Sequence, residues 1–170
     1  AVHKFVGEAE QSDDLTMMAV QYTPQKDRAN IQRQHTITLP NDIEKVPQLH
    51  EFISSIAEEA GLDMSESMGV DLAVEETVVN VMNYAYPEGT EADIELKAEN
   101  KGKELTFVLS DCGREFDATL SENPDIDVNP AERDLGGMGI YIVKIIMNEV
   151  TYQRLEGKNL LTMKKVIGEN

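Results

Sequence analysis

Cysteine is nearly absent: the 170 residues hold a single one, Cys112. One thiol excludes an internal disulfide framework and any metal site built from several cysteines. Basic residues are scarce as well, with 15 Lys and Arg against 32 Asp and Glu, a formal net charge of −17. A chain so acidic is ill suited to nucleic acid, whose phosphates are recruited by Lys and Arg, and anionic lipid repels it too. A basic protein or a nucleotide carried in with Mg²⁺ remains compatible. No apolar run approaches the length that spans a bilayer, and no signal-peptide pattern opens the chain, so a cytoplasmic protein is expected. The chain begins at Ala1 rather than at a methionine, which fits a piece of a longer protein. There is no G-x-x-x-x-G-K-[ST] run, hence no Walker-type phosphate loop.

What is present is a core. Hydrophobic residues make up 41%, ordinary for a globular domain and too many for disorder. The chain is organised around residues 70–86, VDLAVEETVVNVMNYAY. In a helix, positions four apart share a face, so Glu76 and Asn80 stand one turn apart, with Gly69 and Ala73 leaving room beside them. Val70, Val74, Val78, Val81, Met82 and Ala85 make the rest of the circumference apolar, the mark of a buried helix. A carboxylate and an amide in that setting need a partner: a metal ion, a water, a ligand, or backbone groups of a neighbouring strand. Asp63 and Glu66 have capping-box spacing and open this helix, and Pro87 closes it.

Elsewhere the periodicities are plain. Residues 15–22 read as a strand and 23–30 as a polar linker containing Pro24. Residues 35–39 alternate as a strand ended by Pro40. Leu49, Phe52, Ile53, Ile56, Ala57 and Ala60 recur at helical spacing, with Pro47 in the first turn and Gly61 at the end. Strands over residues 92–98 and 105–110 flank an Asn100-Lys101-Gly102 turn. Residues 111–138 lose all periodicity and form a long loop of the kind that often serves as a lid. A helix over 140–147 and strands over 150–154 and 160–167, turning at residues 156–159, complete the chain. Hairpins with segregated helices predict an α+β fold, a two-layer α/β sandwich whose mostly antiparallel sheet carries its helices on one face.

Two further segments belong with Glu76 and Asn80. In Asp111-Cys112-Gly113, at the end of a strand, a carboxylate can accept a hydrogen bond from an amino group such as adenine N6, and Gly113 would let the backbone approach a flat ring. In Leu135-Gly136-Gly137-Met138-Gly139-Ile140, a glycine-rich turn runs into a helix whose first N–H groups favour an anion. Each segment also has a structural reading, as a strand-end turn or a hinge.

In this order and spacing the three segments resemble the N box and the two glycine boxes of the GHKL (Bergerat-fold) ATPases, above all the bacterial anti-sigma-factor serine kinases. The likeness covers roughly residues 34–167. It implies an ATP- and Mg²⁺-dependent serine protein kinase acting on a STAS-domain anti-sigma antagonist, with a sigma factor as sequestered partner and a homodimer among its assemblies. Glu76 matches the general base, Asn80 the Mg²⁺ ligand, and Asp111, with Gly113 beside it, the adenine-reading aspartate. Thr162 matches a threonine that supports that aspartate. Gly136, Gly137, Met138 and Gly139 match the turn beside the phosphates, Arg133 a lid arginine close to the γ-phosphate or the partner, and Asn83 falls within the nucleotide-binding helix. Two positions depart from the pattern: Tyr84 stands where a histidine is usual, and Glu115 replaces a second glycine. A non-catalytic ATP- or ADP-binding switching module and a histidine-kinase catalytic domain are the alternatives, the latter disfavoured by the lack of an acceptor-histidine helix.

Residues 1–22, with Asp13 and Asp14, resemble the final strand of a PPM-type (SpoIIE-like) phosphatase. The expected organisation is therefore a remnant of an upstream phosphatase-like domain over 1–22 without phosphatase activity, a linker over 23–33, and a kinase domain over 34–170. Among the remaining residues, Met17, Met18, Met64, Met68 and Met82 read as gap-filling core or strand residues, Cys112 as an inert small one. His3, His35 and His50 lack metal-ligand spacing.

Overall fold

The computed structural model describes residues 33–120 and 138–168. The expected strand over 15–22, the linker, the phosphatase-like segment, Met17, Met18 and His3, and the lid residues Arg133, Gly136 and Gly137 lie outside the described residues. Of Met138 only the backbone is described.

Strand β1 (Arg33–Pro40) leads through a short turn of 3-10 helix into helix α1 (Val46–Ala60). Gly61 ends α1 at φ 75°, a left-handed cap that a side chain would strain, and its N–H returns to the carbonyls of Ala57 and Glu58. Helix α2 (Met64–Tyr84) opens on the capping box read from the sequence. The Asp63 carboxylate accepts from the Glu66 N–H at 2.8 Å, and the Glu66 carboxylate accepts from the Asp63 N–H at 3.2 Å. Glu66 also accepts from the Gly168 N–H at 2.9 Å, which ties the end of the described chain to the start of this helix. The helix stops at Tyr84 with Ala85 as its cap, slightly short of the expected Tyr86.

Strands β2 (Asp93–Asn100) and β3 (Glu104–Asp111) form the expected hairpin, with Gly102 at φ 81° in the turn. Helix α3 (Met138–Ile146) precedes a second hairpin, β4 (Glu149–Leu155) and β5 (Lys158–Val166). That turn is tighter than the expected 156–159. Glu156 and Gly157 both adopt positive φ, 51° and 82°, the two-residue geometry whose twist matches the strands it joins. Lys158 and Asn159 consequently belong to β5.

The five described strands run in the order β1-β2-β3-β5-β4, every neighbouring pair antiparallel. Their alternation settles which face is covered. Ile94, Leu96 and Ala98 on β2, Leu105, Phe107 and Leu109 on β3, and Leu161 and Met163 on β5 are buried. They share one core with Leu49, Ile53 and Ile56 of α1, Val70, Val74 and Val78 of α2, and Val143 and Met147 at and just beyond α3. Each fully buried Leu, Ile, Val or Phe is worth roughly 1.5–3 kcal/mol, so this layer holds the sandwich together. The two-layer sandwich is as expected.

Helix α2 is less enclosed than its composition suggested. Leu72 is exposed on its outer face, and Met64 and Met68, expected to fill the core, are 78% and 66% exposed. Spaced four apart, all three share the side turned from the sheet. Among the described residues no helix is long and apolar enough to cross a membrane.

Candidate functional site

The stripe Gly69, Ala73, Glu76 and Asn80 of α2 faces α3, and the two helices run antiparallel. A Cβ on Gly69 would stand 3.5 Å from Ile146 Cγ2, near the end of α3. At the opposite end, a Cβ on Gly139 would run into Glu76 Oε2 and come within 3.4 Å of Asn80 Nδ2. A side chain at 139 would have to displace the Glu76 carboxylate, which lies against the first turn of α3. Glu76 and Asn80 are half-buried rather than sealed from water. Among the described residues neither has a hydrogen-bond or ion-pair partner, so the reading in which backbone groups of a strand occupy them does not hold. The free N–H groups of a helix's first turn carry partial positive charge.

Asn80 lines one wall of a cavity of about 380 Å³, and Asp111 lies across it. Leu109, Ile140 and Leu161 make the cavity largely apolar, and Tyr84 and Phe116, 63% and 58% exposed, line it too. Asp111 is buried at 5% exposure at the end of β3. Its Oδ1 accepts from the Gly113 N–H at 2.7 Å and from Asn159 Nδ2 at 2.9 Å. Thr77, also lining the cavity, is satisfied by donating to the Val74 carbonyl at 2.8 Å.

Two sequence readings change here. Thr162, expected to support Asp111, pairs with Val108 and Thr151 and alternates with the buried Leu161 and Met163. It therefore points to the sheet face away from the helices and the cavity. The residue that meets Asp111 is Asn159, which sits opposite it in the β3–β5 register. Sequence reading missed Asn159 by placing it in the turn; the alternation Asn159, Leu161, Met163 was the signal available. Gly113, expected to admit a flat ring, answers a different constraint. A Cβ there would be 2.6 Å from both the Cβ and the carbonyl oxygen of Ala85. The loop after β3 packs directly on the cap of α2, and the Arg114 N–H donates to that same carbonyl at 2.9 Å.

Tyr86 braces the same junction, its hydroxyl accepting from the Cys112 N–H at 3.0 Å. Burial pushes the Tyr86 phenol above its ordinary value; the Cys112 N–H pulls it down and the negative charge of Asp111 adds to the rise. Cys112 itself is exposed. Asn83 does not reach the cavity. Three positions on from Asn80 it is rotated away by about 60°, and it lines a separate open groove with Asn41, Glu88 and Asp93. His50 belongs to neither, since its Nδ1 binds the Asp71 carboxylate at 2.9 Å and joins α1 to α2.

No cluster of three or more His, Cys, Asp or Glu among the described residues could hold a metal ion. The side-chain oxygen of Asn80 is nevertheless a hard donor of the kind that suits Mg²⁺, an ion that keeps several waters and takes few protein ligands.

The family model for the histidine kinase-like ATPase domain matches residues 39–165. A serine/threonine-protein kinase of Bordetella bronchiseptica, BtrW, is 27% identical over 92 residues, which is 54% of this chain and 65% of that relative. The serine-protein kinase RsbW of Staphylococcus epidermidis is 28% identical over 137 residues, covering 75% of this chain and 84% of that protein. RsbW of Bacillus subtilis is 24% identical over 136 residues, covering 74% and 85%.

Proposed function

The chain belongs to the histidine kinase-like ATPase domain family, and on that premise we propose that it binds ATP with Mg²⁺ and phosphorylates a serine of a protein partner. The observation that carries this reading is the shared cavity: Asn80 and Asp111 line it from opposite elements, and the Glu76 carboxylate, without a partner among the described residues, stands one turn from Asn80 against the start of α3.

In this reading the 6-amino group of adenine donates to Asp111, and the apolar walls exclude water from the ring. The phosphates run towards the first turn of α3, where backbone N–H groups face them. Asn80, through its side-chain oxygen, is the residue that would hold Mg²⁺, which when bound neutralises phosphate charge. Glu76 accepts the proton of the target serine hydroxyl as its oxygen attacks the γ-phosphorus, while the bond to the β,γ-bridging oxygen breaks and ADP departs. Phosphoryl transfer depends chiefly on positioning and charge stabilisation, so this small set of groups is chemically sufficient. Gly136 and Gly137 would shape the phosphate turn, and Arg133 would approach the γ-phosphate.

The names of the relatives, two serine-protein kinases and one serine/threonine-protein kinase, support the choice of a hydroxyl acceptor. We take the acceptor to be a STAS-domain anti-sigma antagonist and the alternative partner of the same surface to be a sigma factor, as the motif resemblance implies.

Glu76→Gln tests the chemistry. Incubated with ATP, Mg²⁺ and a STAS-domain protein, the wild type is expected to yield acid-stable phosphoserine. The variant should bind ATP within about threefold of wild type while transfer falls by at least about a hundredfold, the scale of general-base contributions. A wild type that binds ATP but labels no serine would reduce the protein to a nucleotide-responsive switch. Acid-labile phosphohistidine would redirect it to the histidine-kinase class.

A further inference from the structure

Positions four apart on a helix lie one above the other, each advanced by about 40° around the axis. Met64, Met68, Leu72, Glu76 and Asn80 of α2 are five such positions in one unbroken row. The row starts on the outer side of the helix, where Met64, Met68 and Leu72 are 78%, 66% and 40% exposed. It ends at the two half-buried polar groups beside α3, with Glu76 one turn beyond Leu72. Near its start Ile146 of α3 approaches Gly69, and the neighbouring Ile145 is exposed as well.

Exposed apolar side chains in an unbroken row differ from the scattered ones that any surface shows. The described core does without them, closing on Val70, Val74 and Val78 on another side of this helix. Methionine is flexible and polarisable, which suits a face that meets a partner and leaves it. A second copy of the chain is a poor occupant. Three or four side chains expose a few hundred Å², the size of a functional patch on a monomer and short of the roughly 800 Å² that each subunit of a stable pair buries. Negative charge also flanks the ridge. Asp71 and Glu75 stand three positions on from Met68 and Leu72, and α2 holds no lysine or arginine. His50 of α1 meets both carboxylates, at 2.9 and 3.9 Å, but its single charge at most cannot offset the two. Two such faces repel each other, whereas an apolar face rimmed by lysine and arginine is attracted.

We propose that Met64, Met68 and Leu72 form the docking ridge for the protein substrate, which lays an apolar, basic-rimmed surface along α2 and so brings its serine hydroxyl to Glu76. This rests on the reading of Glu76 as the base that takes the serine proton. None of the three ridge residues lines the cavity, whose wall on this helix begins at Thr77 and Asn80. Protein and nucleotide therefore approach Glu76 from different sides and do not compete for one surface. The transfer itself is unchanged: the serine oxygen gains the γ-phosphoryl group, Glu76 takes the proton and ADP leaves.

The test uses the full chain, ATP with Mg²⁺ and a panel of STAS-domain proteins, with Met68→Lys, Met68→Glu and Leu72→Gln as variants. Because these positions are exposed, ATP affinity by calorimetry should stay within about twofold of wild type, which also verifies the fold. In steady-state transfer the KM for the protein substrate should rise at least about tenfold in Met68→Lys, the loss of a central interface anchor. At saturating substrate kcat should stay within about twofold of wild type. Met68→Glu should raise KM less than Met68→Lys, since a basic-rimmed partner tolerates the acid, and added salt should raise the wild-type KM. A wild-type KM in all three variants would overturn the ridge, as would a loss of kcat with KM unchanged or the reverse order of the two Met68 variants. Should Leu72→Gln, the least exposed position, not fold, the Met68 variants decide alone. Calorimetry of the STAS-domain proteins with ADP and Mg²⁺ present separates this inference from the kinase reading. If wild type binds one without phosphorylating it, and Met68→Lys weakens that binding about tenfold, the docking surface stands and the chemistry assigned to Glu76 falls. A wild type that binds no member of the panel overturns the inference. Sedimentation decides for a second copy: a self-associating wild type that Met68→Lys renders monomeric would assign the ridge to a dimer and overturn the proposal.

Discussion

Position 113 tolerates no side chain, because the loop after β3 lies against Ala85 with 2.6 Å between a would-be Cβ and the helix cap. Gly113→Ala must push the loop and the end of α2 apart, a strain of about 1–3 kcal/mol. Thermal unfolding should show a drop of several degrees, and an unchanged midpoint would mean that this junction yields freely. Gly139 is constrained differently, by the side chains of Glu76 and Asn80 rather than by backbone. At this scale much of the site was legible in the sequence. Glu76 and Asn80 share a helical face by spacing alone, and a strand-end Asp with Gly two residues on marks a turn. The partner of Asp111 was not legible in the same way. Asn159 and Thr162 are both polar residues on one strand, and only the parity set by Leu161 and Met163 tells which faces the helices. Helical periodicity likewise says that Met64 and Met68 share a face but not that this face is left open to solvent.

Among the elements, α2 carries most of the consequences, since its two ends are fastened by different chemistry. At its start the capping box satisfies N–H groups that would otherwise be orphaned, and Glu66 reaches the last described residue, Gly168. Asp63→Ala should cost about 1 kcal/mol, measured by denaturant unfolding, without changing nucleotide affinity. An equal loss of affinity would show that the start of α2 is coupled to the cavity. At the other end Tyr86 receives the Cys112 N–H. Its phenol titrates higher in the folded chain than when exposed, with burial the leading cause. The protonated form is therefore favoured by folding, so its stabilisation is complete below the ordinary phenol range near pH 10 and fades as pH rises through the folded value. Relative to Tyr86→Phe, wild type should lose stability more steeply above about pH 10. Parallel curves for the two proteins would refute this. The boundaries of α1 and α2 and both hairpins were readable because glycines, prolines and caps punctuate them. The second hairpin was placed two residues too long because Lys158 and Asn159 look like turn residues until their pairing with Leu155 and Arg154 is seen.

At the scale of the described residues, an antiparallel sheet has one face covered by three helices, and its cavity opens where α2, α3 and the end of β3 converge. A net charge of −17 makes it a poor host for a bare polyphosphate. Chelating Mg²⁺ should accordingly weaken ATP binding by at least about tenfold, the divalent ion offsetting repulsion that the few basic residues cannot. The layer architecture and its helix-bearing face followed from element order, whereas the depth of the cavity did not, since it arises from contacts between segments distant in sequence. The central claim is that one magnesium nucleotide occupies the space between Asn80 and Asp111. Calorimetric titration of the wild type and of Asp111→Ala with ATP and Mg²⁺ tests it most directly. One site in the wild type, weakened at least about tenfold in a folded Asp111→Ala, is the predicted result. No binding to the wild type, or equal affinity in the two proteins, would contradict it.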